Sequence, residues 1–485
     1  MKKLLLIFSF LMFQMSNSQN ITIPDANFRT ILTTTPNHGY FYATNLAGVG
    51  IKVDSNSNNQ ISVQEAANVR SLEIYNDLPV ANLSGLEFFT NLKFLTVYSN
   101  TLTTFNFPTL VNLEYLTLNV YSYYSTSALL TSTLSTLNLD GNINLKYLTA
   151  FTRFCTTLNL SNNTNLIDLY LVAGNVTSLD LTNNANLKTL YLETGDIANL
   201  TLAPNNANLK DINLTVQNSN FNIATGSNFV KNINCNFIAN STVNLNVFPK
   251  LFQLTCYGSG LTNLNTSSNL MLASIYIDGA NLTNLDFSTN LNLENFTVKN
   301  SNLQSINIDN LQFVKSLSLS QNKLTTLDFS NLFNLQGFDV SDNLLTQLSM
   351  KNNSIEDSFN IYGNPSLQSI CCDANETIYV ENQCNFLDYN NTNVTSNCSG
   401  INLSTENVEF QENKLALYPN PASSILNIAT KAIIDSISIS DINGRFVATN
   451  LFDSNKIDVQ NLQSGIYFIR IESNSESKTL KFVKE

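Results

Sequence analysis

The sequence predicts a mainly β chain: a solenoid of stacked 21-residue coils, almost free of helix, followed by a small β-sandwich. Three observations predict it. An apolar pattern, L-x-x-L-x-L, returns every 21 residues over most of the chain. Charged residues make up only 12%, about half the usual share, and 79 asparagines among 485 residues carry the polarity instead. The last stretch, from about residue 407, leaves the repeat and alternates apolar with polar residues, the period of a half-buried strand.

The balance of 36 acids against 24 bases, net −12, argues against a nucleic-acid partner, because nothing would neutralise phosphates. His38 is the single histidine. A histidine-based nucleophile relay would rest on it alone, and a multi-histidine zinc site is excluded. The opening MKKLLLIFSFLMFQMSNSQN has two lysines, an apolar stretch from Leu4 to Phe13, and small residues Ser16 to Ser18. That stretch is shorter than the roughly 20 residues a membrane span needs, so residues 1–18 read as a secretory signal peptide. No cysteine follows for a lipid anchor, and no later segment reads as transmembrane.

Residues 19–68 read as an N-terminal cap. IPDANFRTILTT predicts a short helix opened by Asp25. Behind it, DSNSNNQISVQE has the spacing of a calcium loop. Asp54, Asn56 and Asn58 fall at positions 1, 3 and 5, the Gln60 carbonyl at 7, Ser62 at 9 and Glu65 at 12. Position 6 is Asn59 where glycine is usual; asparagine also tolerates a left-handed backbone. Two carboxylates imply weak binding, and the competing reading is a polar turn.

Residues 69–372 carry the repeat, for example LKFLTV from Leu92, LIDLYL from Leu166, LKTLYL from Leu187 and VKSLSL from Val314, with a second similar half such as VTSLDL from Val176. In L-x-L both leucines share one face of a strand. One coil cannot bury that face alone; stacking buries a continuous column. This resembles the leucine-rich-repeat family in its bacterial 21-residue form, and implies a leucine-rich-repeat solenoid of about thirteen coils, a rod roughly 60 Å long. The preceding cap likewise resembles that of bacterial surface leucine-rich-repeat proteins. The period breaks at Asn119 to Thr133, which predicts a protruding loop. Asparagines at turns (Asn100, Asn322, Asn343, Asn364, and a second row Asn142, Asn163, Asn184, Asn205, Asn269, Asn290) are read as backbone-bonding residues.

Cys235 and Cys256 take the same inward position in neighbouring coils and are expected as buried free thiols, since a rung step of about 4.8 Å exceeds the usual Cβ separation of a disulfide. Cys371, Cys372, Cys384 and Cys398 fall in or beside residues 373–406, read as a cysteine-containing C-terminal cap and linker; they allow three pairings.

Residues 407–485 read as about seven short strands with turns at Asn443-Gly444 and Ser464-Gly465. Tyr418-Pro419-Asn420-Pro421, Asp441-x-x-Gly444, Gly465-x-Tyr467 and the basic end from Lys478 to Lys484 resemble the C-terminal sorting domain of the Bacteroidetes type IX secretion system. The resemblance implies an Ig-like fold, transit through the periplasm, recognition by the outer-membrane machinery, and a secreted or outer-surface location, either released or attached.

Between and beside the buried leucines, outward positions carry Phe94, Tyr98, Tyr115, Tyr147, Phe151, Tyr170, Tyr191 and Tyr276. An aromatic band over five coils reads as a ligand surface for a protein or glycan, with Tyr170 and Tyr191 offering one continuous ring face; the competing reading is strand propensity alone. The expected function is a non-catalytic, monomeric binding or adhesion protein using the concave face, with calcium as the candidate cofactor. The alternative is an exported hydrolase. Its carboxylate candidates Glu193 and Asp278 are four coils, about 19 Å, apart, beyond the roughly 5–9.5 Å a glycosidase pair spans.

Overall fold

A computed structural model of the chain describes residues 19–34 and 42–398 apart from 76–77, 99–100, 119–132, 153, 239–240, 259 and 390. Beyond these it describes 416–418, 422, 424–429, 436–441, 446–448, 456–473 and 476–484. The signal segment, His38, Asn100, the loop 119–132 and the turn 442–445 lie outside the described residues. The chain divides into two compact units, 1–403 and 404–485.

The first unit is a solenoid of stacked coils. Its principal sheet has 16 strands. Two short antiparallel strands, Ala43–Asn45 and Gly50–Ile51, open it. Fourteen parallel strands follow, from Val69–Ile74 to Ser358–Asn360, each paired with the strand of the next coil. Register is set by the leucines: Leu148 stands opposite Leu169, Leu169 opposite Leu190, and Leu190 opposite Ile212. Each is at most 1% exposed, so a slip by one residue would put the whole column in water. The second half of each coil makes shorter sheets, such as Ser178–Leu181, Asn199–Leu202 and Asn222–Thr225. Both sets of strands close over one continuous apolar core running from Ile21 to Cys384.

The turns between halves are held by asparagine. The buried Asn163 amide donates to Leu139 O (3.1 Å) and Asn142 O (2.9 Å), and Asn184 repeats this on Leu160 O and Asn163 O. One position differs from expectation: Asn206, not Asn205, continues the row, donating to Leu187 O at 2.7 Å. The coil there is one residue longer, so the inward position falls one residue later. Asn322, Asn343 and Asn364 form the other row, each amide donating to a carbonyl 24 residues earlier in the chain. Each side-chain oxygen in that row accepts an N–H of the preceding coil.

Helices are few. α1 (Ala26–Thr33) is opened by Asp25, whose Oδ1 accepts the N–H groups of Asn27 and Phe28, the reason such a residue begins a helix. Its Oδ2 accepts Ala81 N and Asn82 N, which fastens the cap to the coil it covers. α2 (Val63–Ala67) carries a capping box between Ser62 and Glu65. α3 (Thr377–Phe386) closes the C-terminal end of the solenoid, burying Val380 and Cys384.

The cysteines correct one expectation. Cys235 and Cys256 form a disulfide across adjacent rungs, with their Cα atoms 4.7 Å apart. Set against the Cα separations that disulfides accept, about 4.4–6.8 Å, a rung step is suitable; the expectation of free thiols had compared it with a Cβ distance. Cys371 pairs with Cys398, while Cys372 and Cys384 are buried thiols, both pushed up to about 11 chiefly by burial.

Among the described residues of the second unit, seven strands make two antiparallel sheets, of three and four strands. Leu426 and Ile428 of one share an apolar cluster with Ile437, Ile439 and Ile469 of the other.

Candidate binding face

In each principal strand the residues flanking the buried leucines point away from the core, and equivalent residues of successive coils form columns about 4.8 Å apart. Phe94, Tyr115 and Tyr147 occupy one column. Their rings stack in sequence, with centroids 4.5 and 4.2 Å apart. At the next coil the aromatic residue moves two positions along the strand. Asp168 follows Tyr147 in its column, and Tyr170 follows Thr149. Tyr170 and Tyr191 then stack at 4.1 Å with their planes only 2° apart. Phe151 lies 5.9 Å from Tyr170. The band therefore crosses five successive coils, with a step in the middle.

Tyr98 belongs to a separate stack nearer the N-terminus, on Tyr75 at 5.7 Å. Tyr276 is four coils beyond Tyr191 and works with other partners. Its hydroxyl donates to Asp278 (3.2 Å), and the Lys299 ammonium, 3.3 Å from Asp278, lies over its ring.

The stacking corrects the idea of a continuous ring face. Rings 4.1 Å apart and parallel have one face of each against the other, so the pair turns ring edges outward. Aromatic edges carry the positive end of the ring quadrupole, which favours acceptors and anions. At the start of the first stack the open face of Phe94 is covered by the Arg70 guanidinium, 4.9 Å from the centroid. Beside that stack Glu114 is held between Lys93 (2.7 Å) and Lys146 (2.9 Å). Lys146 first, then Lys93, keeps the Glu114 carboxyl below its ordinary range.

The loop 54–65 folds on itself. Asp54 is fully buried, and its two oxygens accept Asn58 N and Asn59 N. Asn56 Oδ1 accepts Asn58 N, and Asn58 Oδ1 accepts Gln60 N. The Gln60 side-chain oxygen accepts the Asn20 amide. Asn59 has φ 62°, the left-handed conformation its position requires. Glu65 uses both oxygens: Oε1 accepts Ser55 N and Oγ, and Oε2 accepts Ser62 N and Oγ. Burial raises the Glu65 carboxyl, but these donors outweigh it and leave it below its ordinary value. Lys52 stands 3.4 Å from Asp54. The protein's own donors already surround the carboxylates of Asp54 and Glu65.

One site was not anticipated. Glu356 stands where the other coils have the first leucine of the pattern, and it is 2% exposed. Its Oε1 accepts the Asn352 amide (2.8 Å), and its own N–H donates to Glu376 Oε1 (3.1 Å). The second oxygens of Glu356 and Glu376 are both buried without a donor. Burial, and then the hydrogen bond with Glu376, push Glu356 up to about 8. Glu356 thus keeps its proton at neutral pH. The signal in the sequence was the break in the leucine column at residue 356; its partner, before the cap helix, carried none.

Residues 416–485 match the family model described as a secretion system C-terminal sorting domain. The chain therefore carries an export address and is delivered to the outside or the cell surface. No curated protein matches the chain. Among solved structures, the functional domain of InlJ from Listeria monocytogenes, described as including a cysteine ladder, is similar at 18% identity and TM-score 0.38. That likeness covers 88% of this chain and 93% of that one. An internalin, inlF, from Listeria monocytogenes is similar at 17% identity and TM-score 0.39, over 70% of this chain and 90% of that one. The solenoid assignment itself rests on the strand register given above.

Proposed function

We propose that this chain is a non-catalytic binding protein, sent out by type IX secretion machinery, that holds a protein ligand on the outward face of its solenoid sheet around Tyr170 and Tyr191. The stacked, parallel pair carries the proposal: two large residues are exposed or half-buried on a rigid sheet, in adjacent rungs. Rigid amphipathic rings give contact area at low entropic cost, the reason tyrosine recurs in binding surfaces. A glycan partner is less well served, since one face of each ring is taken by the other. The hydrolase alternative lacks support: the register places Glu193 and Asp278 four rungs apart, too far for paired-carboxylate chemistry.

The test is a paired one on the purified, processed chain. Tyr170→Ser/Tyr191→Ser should melt nearly as the wild type and lose binding to hits from a protein and glycan array. Leu169→Ala, in the buried column, should cost about 2–5 kcal/mol of stability. A tyrosine pair that can be removed with binding to every array hit intact would sink the proposal.

Calcium at the loop 54–65 is a separate reading. Asp54, Asn56, Asn58, the Gln60 carbonyl and Glu65 would hold the ion, and the left-handed Asn59 supports it; Glu65 would first have to release Ser55 and Ser62. The expected signature is a higher melting temperature in excess calcium than in chelator, with Glu65→Gln removing the difference. Identical melting in both leaves a turn closed by its own hydrogen bonds.

A further inference from the structure

The residue just after the first leucine of each coil lies at the edge of the same face. Over the first eight coils this line contains Arg70, Lys93, Lys146, Lys188, Lys210 and Lys231, six of the 24 basic residues of an acidic chain. Its two halves differ. Lys93 and Lys146 share the Glu114 carboxylate, and Arg70 lies over Phe94. From coil six onward the lysines of this line make no ion pair among the described residues. Lys188 and Lys231 are exposed, and Lys210, with Lys250, lies over the Phe229 ring, at 5.1 and 4.5 Å.

Lys188, Lys210 and Lys231 occupy successive rungs; Lys231 N donates to Lys210 O at 2.9 Å. Like charges on adjacent strands repel, and the acids at the next strand position are Asp168 and Asp211, which stand opposite Thr189 on either side. Asp211 accepts the Asn232 amide at 2.6 Å. Lys188 is three residues from Tyr191, about 10 Å of extended chain, so the basic edge and the tyrosine edges fall within one footprint. Phe252, 48% exposed, continues the lysine line after Lys231.

Building on the binding reading above, we propose that the edge from Lys188 to Lys250, together with the outward edges of Tyr170 and Tyr191, binds an acidic segment of a partner protein. Its ammonium groups and the positive rims of the stacked rings suit carboxylates. Phe252 and Phe229 add apolar contact that an extended peptide with mixed side chains can fill. One face of each tyrosine ring is taken by the other, which leaves less flat surface for a uronic-acid glycan, the other common source of repeated carboxylates.

The experiment uses the purified, processed chain and fluorescein-labelled poly-L-glutamate, with polygalacturonate as the glycan arm, titrated across ionic strength. Expected are salt-sensitive binding of polyglutamate and an affinity about tenfold lower for Lys188→Gln/Lys231→Gln. That variant should melt as the wild type, and Lys323→Gln, an exposed lysine outside this line, should bind normally. The proposal is overturned if the double variant binds polyglutamate as well as the wild type, or if polygalacturonate binds and polyglutamate does not. Array ligands that need Tyr170 and Tyr191 but ignore Lys188 and Lys231 would also overturn it, and would leave the binding function standing.

Discussion

At the scale of single residues, Glu356 has the sharpest consequence. An acid held near 8 in the folded chain keeps a proton that the unfolded chain releases near its ordinary 4.5. Between those values the folded state binds more protons, so stability falls as pH rises through the window and levels off above it. The groups facing Glu356 do not offset this. Glu376 is a second acid, Asn352 is neutral, and Asp373 is occupied by Asn352 N and Asn353 N. Glu356→Leu restores the column. It should raise the melting temperature more at pH 8 than at pH 5, as thermal melts at the two values will show; equal gains would mean the carboxyl does not titrate there. That Glu356 breaks the leucine column is legible in the sequence. Its pairing with Glu376 is not, because the contact forms only when the C-terminal cap folds back.

Elements were legible wherever period alone decides them. Leu148, Leu169 and Leu190 stand in register because any other pairing exposes the column, and Asp25 opens α1 because an acceptor side chain suits that position. α3 was not legible. Glu376 gives it no side-chain cap, and only Val380 and Cys384 are buried, too few to make a stripe. The aromatic columns were legible as positions but not as ring orientations, which depend on stacking between coils. Two tests address the elements. Asn184→Ala strips donors from two buried carbonyls, Leu160 O and Asn163 O, and should cost about 1–3 kcal/mol in denaturant melts. Cys235→Ser opens a loop of sequence separation 21 and should cost about 3 kcal/mol, a difference from the wild type that reductant should abolish.

For the whole molecule, two compact units with separate cores, 1–403 and 404–485, permit removal of the second without exposing the core of the first. Deleting 404–485 should leave a chain that folds and melts normally in vitro yet fails to reach the medium or cell surface, scored by fractionation. Full-yield delivery of the truncated chain would contradict the sorting role that the match over 416–485 assigns.

A solenoid is close to a crystal in one dimension: shift it by one coil and the backbone lands on itself. A ligand reading only repeated features would have no preferred place and could slide by a rung. The step between Tyr147 and Tyr170, where the aromatic column jumps two positions, breaks that translational symmetry. It acts as a phase mark on an otherwise uniform ruler, allowing a long partner to be held at a single address.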